Sequence, residues 1–212
     1  MFYWLTVLSD GGDFFNLFRY ITFRAGGAFL TALIFGFIFG KPLINLLRRR
    51  QGRGQPIRSD GPEGHFSKAG TPTMGGALIL GALVVSTLLW ARLDNMHIWV
   101  VLFVTIGFGV IGFADDYAKV SRQTVAGVSG KLRLGLGFLI ALAAAVMAAK
   151  LHPDGLSTHV AVPILKDALV PFGLLFFPFA MIVIVGTANA VNLTDGLDGL
   201  AIMPVMIAAA AL

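Results

Sequence analysis

NMHIWVVLFVTIGFGVIGFA, residues Asn95–Ala114, runs for 20 residues without a lysine, arginine, aspartate or glutamate, between Asp94 and Asp115. As a helix rising about 1.5 Å per residue it covers about 30 Å, the thickness of a bilayer's hydrocarbon core. A buried helix of a soluble protein has no need of so long an uncharged run. The stretch therefore reads as a membrane span, and it sets the scale for the rest of the chain.

Similar runs lie on both sides of it. Upstream are Thr22–Leu47, with Lys41 able to snorkel to an interface, and Ala69–Ala91 between Lys68 and Arg92. Downstream are Leu134–Ala149, short but extendable by Lys131 and Arg133 at its edge, and Ala168–Thr194. A sixth run starts near Leu197 and reaches Leu212. The expected fold is an all-α polytopic membrane protein, with five complete transmembrane helices plus the start of a sixth. Residues 1–212 form a single membrane domain with no internal linker and no visible repeat. Met1–Asp13 lacks a basic region and carries Asp10 and Asp13, so it is expected to be retained rather than removed as a signal peptide.

Composition agrees. The chain is 57% hydrophobic and 13% charged, with a mean hydropathy of +0.83, whereas a soluble domain carries about 25% charged residues. The absence of cysteine excludes disulfides and thiolate nucleophiles. The 26 glycines suit close helix packing in lipid. The net charge of +5 does not point to nucleic acid, because the basic residues cluster in loops between apolar runs. One set of alternate loops holds Lys41, Arg48, Arg49, Arg50, Arg53, Arg58, Lys68, Lys119, Arg122, Lys131 and Arg133. The other side holds only Arg19, Arg24, Arg92, Lys150 and Lys166. The positive-inside rule puts the first set in the cytoplasm and the N-terminus outside.

The polar motifs fall on that same side, although sidedness was read from lysine and arginine alone. In GFADDYAK, Gly112–Lys119, two adjacent carboxylates stand where the third span ends. They read as unpaired interfacial charges at a helix C-terminus, where the macrodipole disfavours anions. A plain account makes them markers of the span's end. A functional account makes them a divalent-cation and phosphate site, since Mg²⁺ needs only one or two carboxylates besides waters and substrate phosphates. Lys119 and Lys131 then neutralise phosphate oxygens.

The second motif is NAVNLTDGLDG, Asn189–Gly199. Thr194 or Asp195 can cap the sixth helix, and Asp198 favours its positive end. Asn189 and Asn192, three residues apart on one helical face, need another account. Four convergent polar groups at a membrane boundary suit a ligand pocket. In the third, HFSKAGTPTMGG, His65–Gly76, Thr71 and Pro72 read as an N-cap and first helical residue. The basic stretch Arg48–Arg58 reads as an orientation and anionic-lipid signal. No nucleophilic triad, Walker loop or zinc pattern occurs. Carboxylates, lysines and amides suit metal-assisted phosphoryl transfer, which relies on positioning and charge neutralisation. A transporter would place such groups at the bilayer midplane rather than at one interface. A scaffold would not collect them on one side.

In order and spacing, these three strings resemble the bacterial phospho-N-acetylmuramoyl-pentapeptide-transferase family, within the polyprenyl-phosphate N-acetylhexosamine-1-phosphate transferases. GTPTMGG, Gly70–Gly76, favours this branch over relatives that transfer N-acetylglucosamine phosphate. The resemblance implies a fold of about ten helices, usually dimeric, of which this chain is the N-terminal part. It implies an Mg²⁺-dependent transfer of phospho-N-acetylmuramoyl-pentapeptide from UDP to undecaprenyl phosphate in the bacterial inner membrane. On it, Asp115, Asp116 and Asp198 are the catalytic candidates, with Asp115 and Asp116 also metal candidates. Lys68, Thr73, Lys119, Lys131, Asn189, Asn192 and Asp195 are the substrate-binding candidates. The family has a further metal-binding aspartate and a histidine-rich motif downstream of Leu212, so these residues alone are expected to be inactive.

Overall fold

The computed structural model describes residues 1–52, 71–124, 126–153, 155–162, 165, 168–194 and 199–211. They form two compact units, Met1–Arg133 and Leu134–Leu212. Four helices are long and apolar enough to cross a membrane: α1 (Ile21–Gln51), α3 (Met96–Arg122), α4 (Gly130–Leu151) and α5, which with the turn before it covers Gly173–Thr194. Shorter apolar helices are α2 (Gly76–Trp90) and α6 (Ile202–Ala211). The chain is a multi-pass membrane protein. Large side chains such as Phe37 and Ile182 stay exposed on their helices, as a lipid-facing surface requires.

The first unit begins with two 3-10 helices, Phe2–Leu8 and Phe14–Arg19. Asp13 caps the second by accepting the Asn16 N–H. Phe2, Phe18 and Phe23 gather around Trp90 at the end of α2, with ring centroids 4.8, 6.0 and 6.1 Å from it. The Trp90 indole N–H donates to Thr31 Oγ1 at 2.9 Å, and Thr31 donates to the Gly27 carbonyl. A Cβ on Gly27 would overlap the Trp90 ring. The missing side chain is therefore what admits the indole against α1. Thr31 near the start of α1 thus meets the end of α2. At the other end, Gln51 of α1 meets Thr73, just before α2, so the two helices are antiparallel. Leu80 of α2 packs where Gly109 of α3 lacks a side chain, and α3 returns alongside α2. The end of α1, the start of α2 and the end of α3 consequently lie at one end of this unit.

The sequence expectation of a span over Ala69–Ala91 is met by helix only from Gly76, and the 15 residues of α2 cover about 22 Å. Thr71 and Pro72 do not form the cap and first turn. Met74 adopts φ +69, a left-handed conformation that interrupts a helix, and Gly75 precedes the first helical residue. Helix α3 departs in the opposite direction. It continues past the carboxylates to Arg122, where Gln123 ends it in the left-handed region. Asp115 therefore does not stand at a helix C-terminus. The macrodipole fades within about one turn of the end, and Asp115 lies almost two turns before it.

In the second unit, the stretch ahead of α5 contains a short antiparallel hairpin, β1 (His159–Ala161) with β2 (Leu169–Pro171), in which Val160 faces Val170. The sequence reading placed Leu169–Pro171 inside a helix. Gly173 at φ +51 and a 3-10 turn over Gly173–Leu175 then lead into α5 (Phe176–Thr194). Pro178 in α5 and Pro204 in α6 fall in their helices' first turns, where the absent N–H has no intrahelical acceptor in any case.

Candidate functional site

Asp115 is 7% exposed and anchors a cluster at the end of α3. Its Oδ2 lies 2.6 Å from Lys119 Nζ, one helical turn further on, and 3.8 Å from Arg133 Nη1 in the first turns of α4. Its Oδ1 accepts the backbone N–H of Val128 at 2.8 Å. Asp116 Oδ1 is 3.7 Å from the same Lys119 nitrogen, and its side chain is 37% exposed. The reading of both carboxylates as unpaired interfacial charges is thus corrected for Asp115. The extension of α3 past Asp115 supplies the i,i+4 partner that makes burial tolerable.

The loop between α3 and α4 folds over this carboxylate. A Cβ on Gly127 would collide with the Asp115 carboxylate and with Lys119 Cε. Glycine is what lets the backbone come close enough for Val128 to donate. Ser129 then starts α4: its Oγ accepts from Leu132 N–H at 3.4 Å and its carbonyl from Arg133 N–H. The result is one carboxylate held by two cations and a peptide N–H, beside a second that has only a distant share in one lysine. Lys131, the second residue of α4, is exposed.

Thr73 lies at the same end of the first unit. Its backbone N–H donates to Gln51 Oε1 at 2.8 Å, and its carbonyl accepts from Gln51 Nε2 at 3.1 Å. Its own hydroxyl is buried and has no hydrogen-bond partner among the described residues. In the second unit, Asn189 is half-buried and donates from Nδ2 to the Val185 carbonyl at 2.8 Å. Asn192, three residues on, is exposed. Thr194 Oγ1 donates back to the Ala190 carbonyl. Lys68, Asp195 and Asp198 lie outside the described residues.

The structure brings Asp115, Asp116 and Lys119 together, with Arg133 as a fourth member. Sequence reading counted Arg133 as an orientation charge and as the edge of the fourth span, not as a site residue. Its place in the basic loop two residues after Lys131 was the available signal. Gln51, Gly127 and Val128 were missed altogether. A neutral amide and two loop backbone positions carry no signature in a single sequence.

Among the described residues no three histidine, cysteine, aspartate or glutamate side chains gather into a metal cage. Mg²⁺ does not require one. Asp116 fits as its carboxylate ligand, because its oxygens are less engaged than those of Asp115.

The chain matches the family model described as glycosyl transferase family 4 over residues 98–212. It also matches phospho-N-acetylmuramoyl-pentapeptide-transferase signature 1 over residues 68–80. Curated relatives of that transferase name include one from Ruegeria pomeroyi, 71% identical over 212 residues. Others are from Dinoroseobacter shibae, 68% identical over 213 residues, and Maricaulis maris, 58% identical over 209. These matches cover 100%, 100% and 96% of the chain. They cover 59%, 59% and 57% of the relatives, so the chain spans somewhat under two thirds of their length.

Proposed function

The chain belongs to glycosyl transferase family 4, and from that membership we propose that its protein transfers phospho-N-acetylmuramoyl-pentapeptide from UDP to undecaprenyl phosphate. The products are UMP and a lipid-linked peptidoglycan precursor. The observation that carries the proposal is 71% identity, sustained along the whole chain, to a relative of that transferase name.

The site's chemistry suits this reaction. The attacking group is a lipid phosphate and the electrophile is a sugar-bearing pyrophosphate. Both are anions, so their approach must be offset by fixed positive charge. Lys119, Lys131 and Arg133 supply it at one end of the first unit. Asp116 is the residue that would hold Mg²⁺ there, and the ion would neutralise pyrophosphate oxygens as the UMP leaving group departs. Asp115 orients Lys119 and Arg133, and the role of proton acceptor from the lipid phosphate is assigned to it. Asn192, with Asn189, Lys68, Thr73, Asp195 and Asp198, is assigned to the nucleotide-sugar side. The protein sits in the bacterial inner membrane as a homodimer, N-terminus outside, with the site facing the cytoplasm.

The test is UMP release by the purified full-length protein, supplied with UDP-N-acetylmuramoyl-pentapeptide, undecaprenyl phosphate and Mg²⁺. UMP that depends on both substrates supports the proposal. Equal or faster release from UDP-N-acetylglucosamine reassigns the donor. No UMP from either donor overturns the reaction.

A further inference from the structure

We propose that Gln51 is a positioning residue that holds the Thr73–Met74 segment in the conformation from which Thr73 meets the nucleotide-sugar donor. The donor half of this statement rests on the function proposed above; the positioning half does not.

Three observations at this place point the same way. First, the Gln51 side-chain amide pairs with the Thr73 peptide in both directions: it accepts from the Thr73 N–H at 2.8 Å and donates to the Thr73 carbonyl at 3.1 Å. A side chain here does what a neighbouring strand does in a sheet, satisfying donor and acceptor of one residue at once. The same Nε2 lies 3.4 Å from Met74 Sδ. Second, the clamped segment is conformationally costly. Met74 is a non-glycine residue at φ +69, a region that such residues enter rarely and at an energetic cost. A backbone of this kind persists when its surroundings hold it, and among the described residues Gln51 is bonded to it from 22 residues away. Third, the Thr73 hydroxyl is buried and without a partner among the described residues. A buried hydroxyl left in that state is unfavourable. A ligand oxygen supplied from outside the chain would satisfy it.

Gln51 is the last residue of α1, directly after Arg48, Arg49 and Arg50. The clamp therefore ties the end of α1 to the entry of α2. Because it acts on the Thr73 backbone, it survives replacement of the Thr73 side chain. That separation permits a direct test.

These 212 residues contain no cysteine, and the position-73 rate is read as the difference from the same protein without the introduced thiol. In full-length protein carrying Thr73→Cys, the rate of thiol modification by a small soluble maleimide measures how firmly the segment is held. Gln51→Met keeps side-chain length and removes the amide, and modification at position 73 is expected to be at least about 5-fold faster with it. Gln51→Glu keeps an acceptor for the Thr73 N–H and should restore part of the protection. A parallel Ser86→Cys variant, at a buried position in α2, should stay unreactive and so report an intact fold. Position-73 modification within about 2-fold of the parent, with position 86 still protected, overturns the clamp. In the otherwise native sequence, Gln51→Met should raise the donor KM at least about 5-fold while lowering kcat less. Faster modification with an unchanged donor KM also overturns the proposal, because Gln51 would then tie two helices without serving the donor. Absence of UMP release by the parent would instead be a failure of the proposed reaction, and the modification rates would still decide the clamp.

Discussion

Asp115 Oδ1 accepts the backbone N–H of Val128 at 2.8 Å while its other oxygen holds Lys119 at 2.6 Å. One carboxylate thereby fixes the loop between α3 and α4 and sets the position of a cation that also lies near Asp116. The two adjacent aspartates are not equivalent: Asp115 organises the site, and Asp116 is the more open to a ligand.

That difference separates the outcomes of their substitution. Asp115→Asn keeps an oxygen for Val128 but loses the charge that holds Lys119 and Arg133. Asp115→Ala loses both. In the full-length protein each is expected to lower turnover by at least about 10²-fold, the scale of a lost general base or charge-stabilising group. Asp115→Ala should in addition lower thermal stability, because it leaves two cations facing each other near a buried site. Asp116→Asn should lower turnover to a similar degree without loss of stability, and should raise the Mg²⁺ concentration needed for half-maximal rate. A fluorescence-detected melt beside a UMP assay checks both. Equal thermal shifts for Asp115→Ala and Asp116→Asn would contradict the division of roles.

Gly127→Ala tests the close approach of the loop. The added methyl meets the Asp115 carboxylate and Lys119 Cε, so the loop must withdraw or the ion pair must open. Turnover is expected to fall about 10-fold or more. Gly130→Ala is the control, since nothing lies within 4 Å of a Cβ placed there. Similar losses from the two substitutions would show that the Gly127 contact is not responsible.

Much of this was legible in sequence, for physical reasons. Asn95–Ala114 had to be a span because no soluble core demands 20 uncharged residues in a row, and α3 with its N-cap Asn95 contains it. Its true end was not legible. The stretch from Asp115 to Arg122 is more polar than the span before it; the i,i+4 pair of Asp115 with Lys119 supports continued helix from within, and the contacts with Arg133 and Val128, which no single sequence shows, bury the carboxylate there. The reverse error occurred at Thr71–Pro72, where residue types suited to a cap and first turn precede a helix that starts only at Gly76, after Met74 at φ +69 and with Gln51 bonded to the Thr73 backbone. Leu169–Pro171 was read as span because apolar strands and apolar helices share a composition, and three residues are too few for periodicity to separate them.

The contact between α1 and α2 yields a stability prediction. Gly27→Ala places a methyl inside the Trp90 ring, displacing the indole from Phe2, Phe18 and Phe23. It should cost about 1–3 kcal/mol, the usual range for overpacking. Trp90→Phe should cost less: it keeps an aromatic ring in the cluster and gives up the hydrogen bond to Thr31, worth about 1 kcal/mol. Thermal melts in detergent order the two, and a larger loss from Trp90→Phe would place the energy in the hydrogen bond rather than in the packing.

Orientation has a direct check, because a thiol introduced among these 212 residues is the only one they carry. Ser121 is exposed near the end of α3, on the side to which the basic-residue count assigns the cytoplasm. A Ser121→Cys variant should resist a membrane-impermeant reagent in intact cells and react once the membrane is opened. Labelling from outside intact cells would reverse the assigned topology.

The asparagines of α5 provide the last discrimination. Asn189 and Asn192 share a helical face, and sequence alone treats them as equals. The structure does not. Asn189 spends one amide hydrogen on the Val185 carbonyl one turn back, a local bond that needs no ligand. Asn192 is exposed, and its amide is open to a nucleotide. Asn192→Ala should therefore weaken UDP-sugar binding about 5- to 10-fold, the equivalent of one good hydrogen bond. Asn189→Ala should weaken it by no more than about 3-fold. Neither should alter affinity for polyprenyl phosphate, because both asparagines are assigned to the donor. Calorimetric titration of each variant with donor, then with lipid phosphate, gives the comparison. A larger donor loss at Asn189 would mean that its bond to Val185 orients a ligand-facing carbonyl. Loss of lipid-phosphate affinity at Asn192 would move that residue to the acceptor side of the reaction.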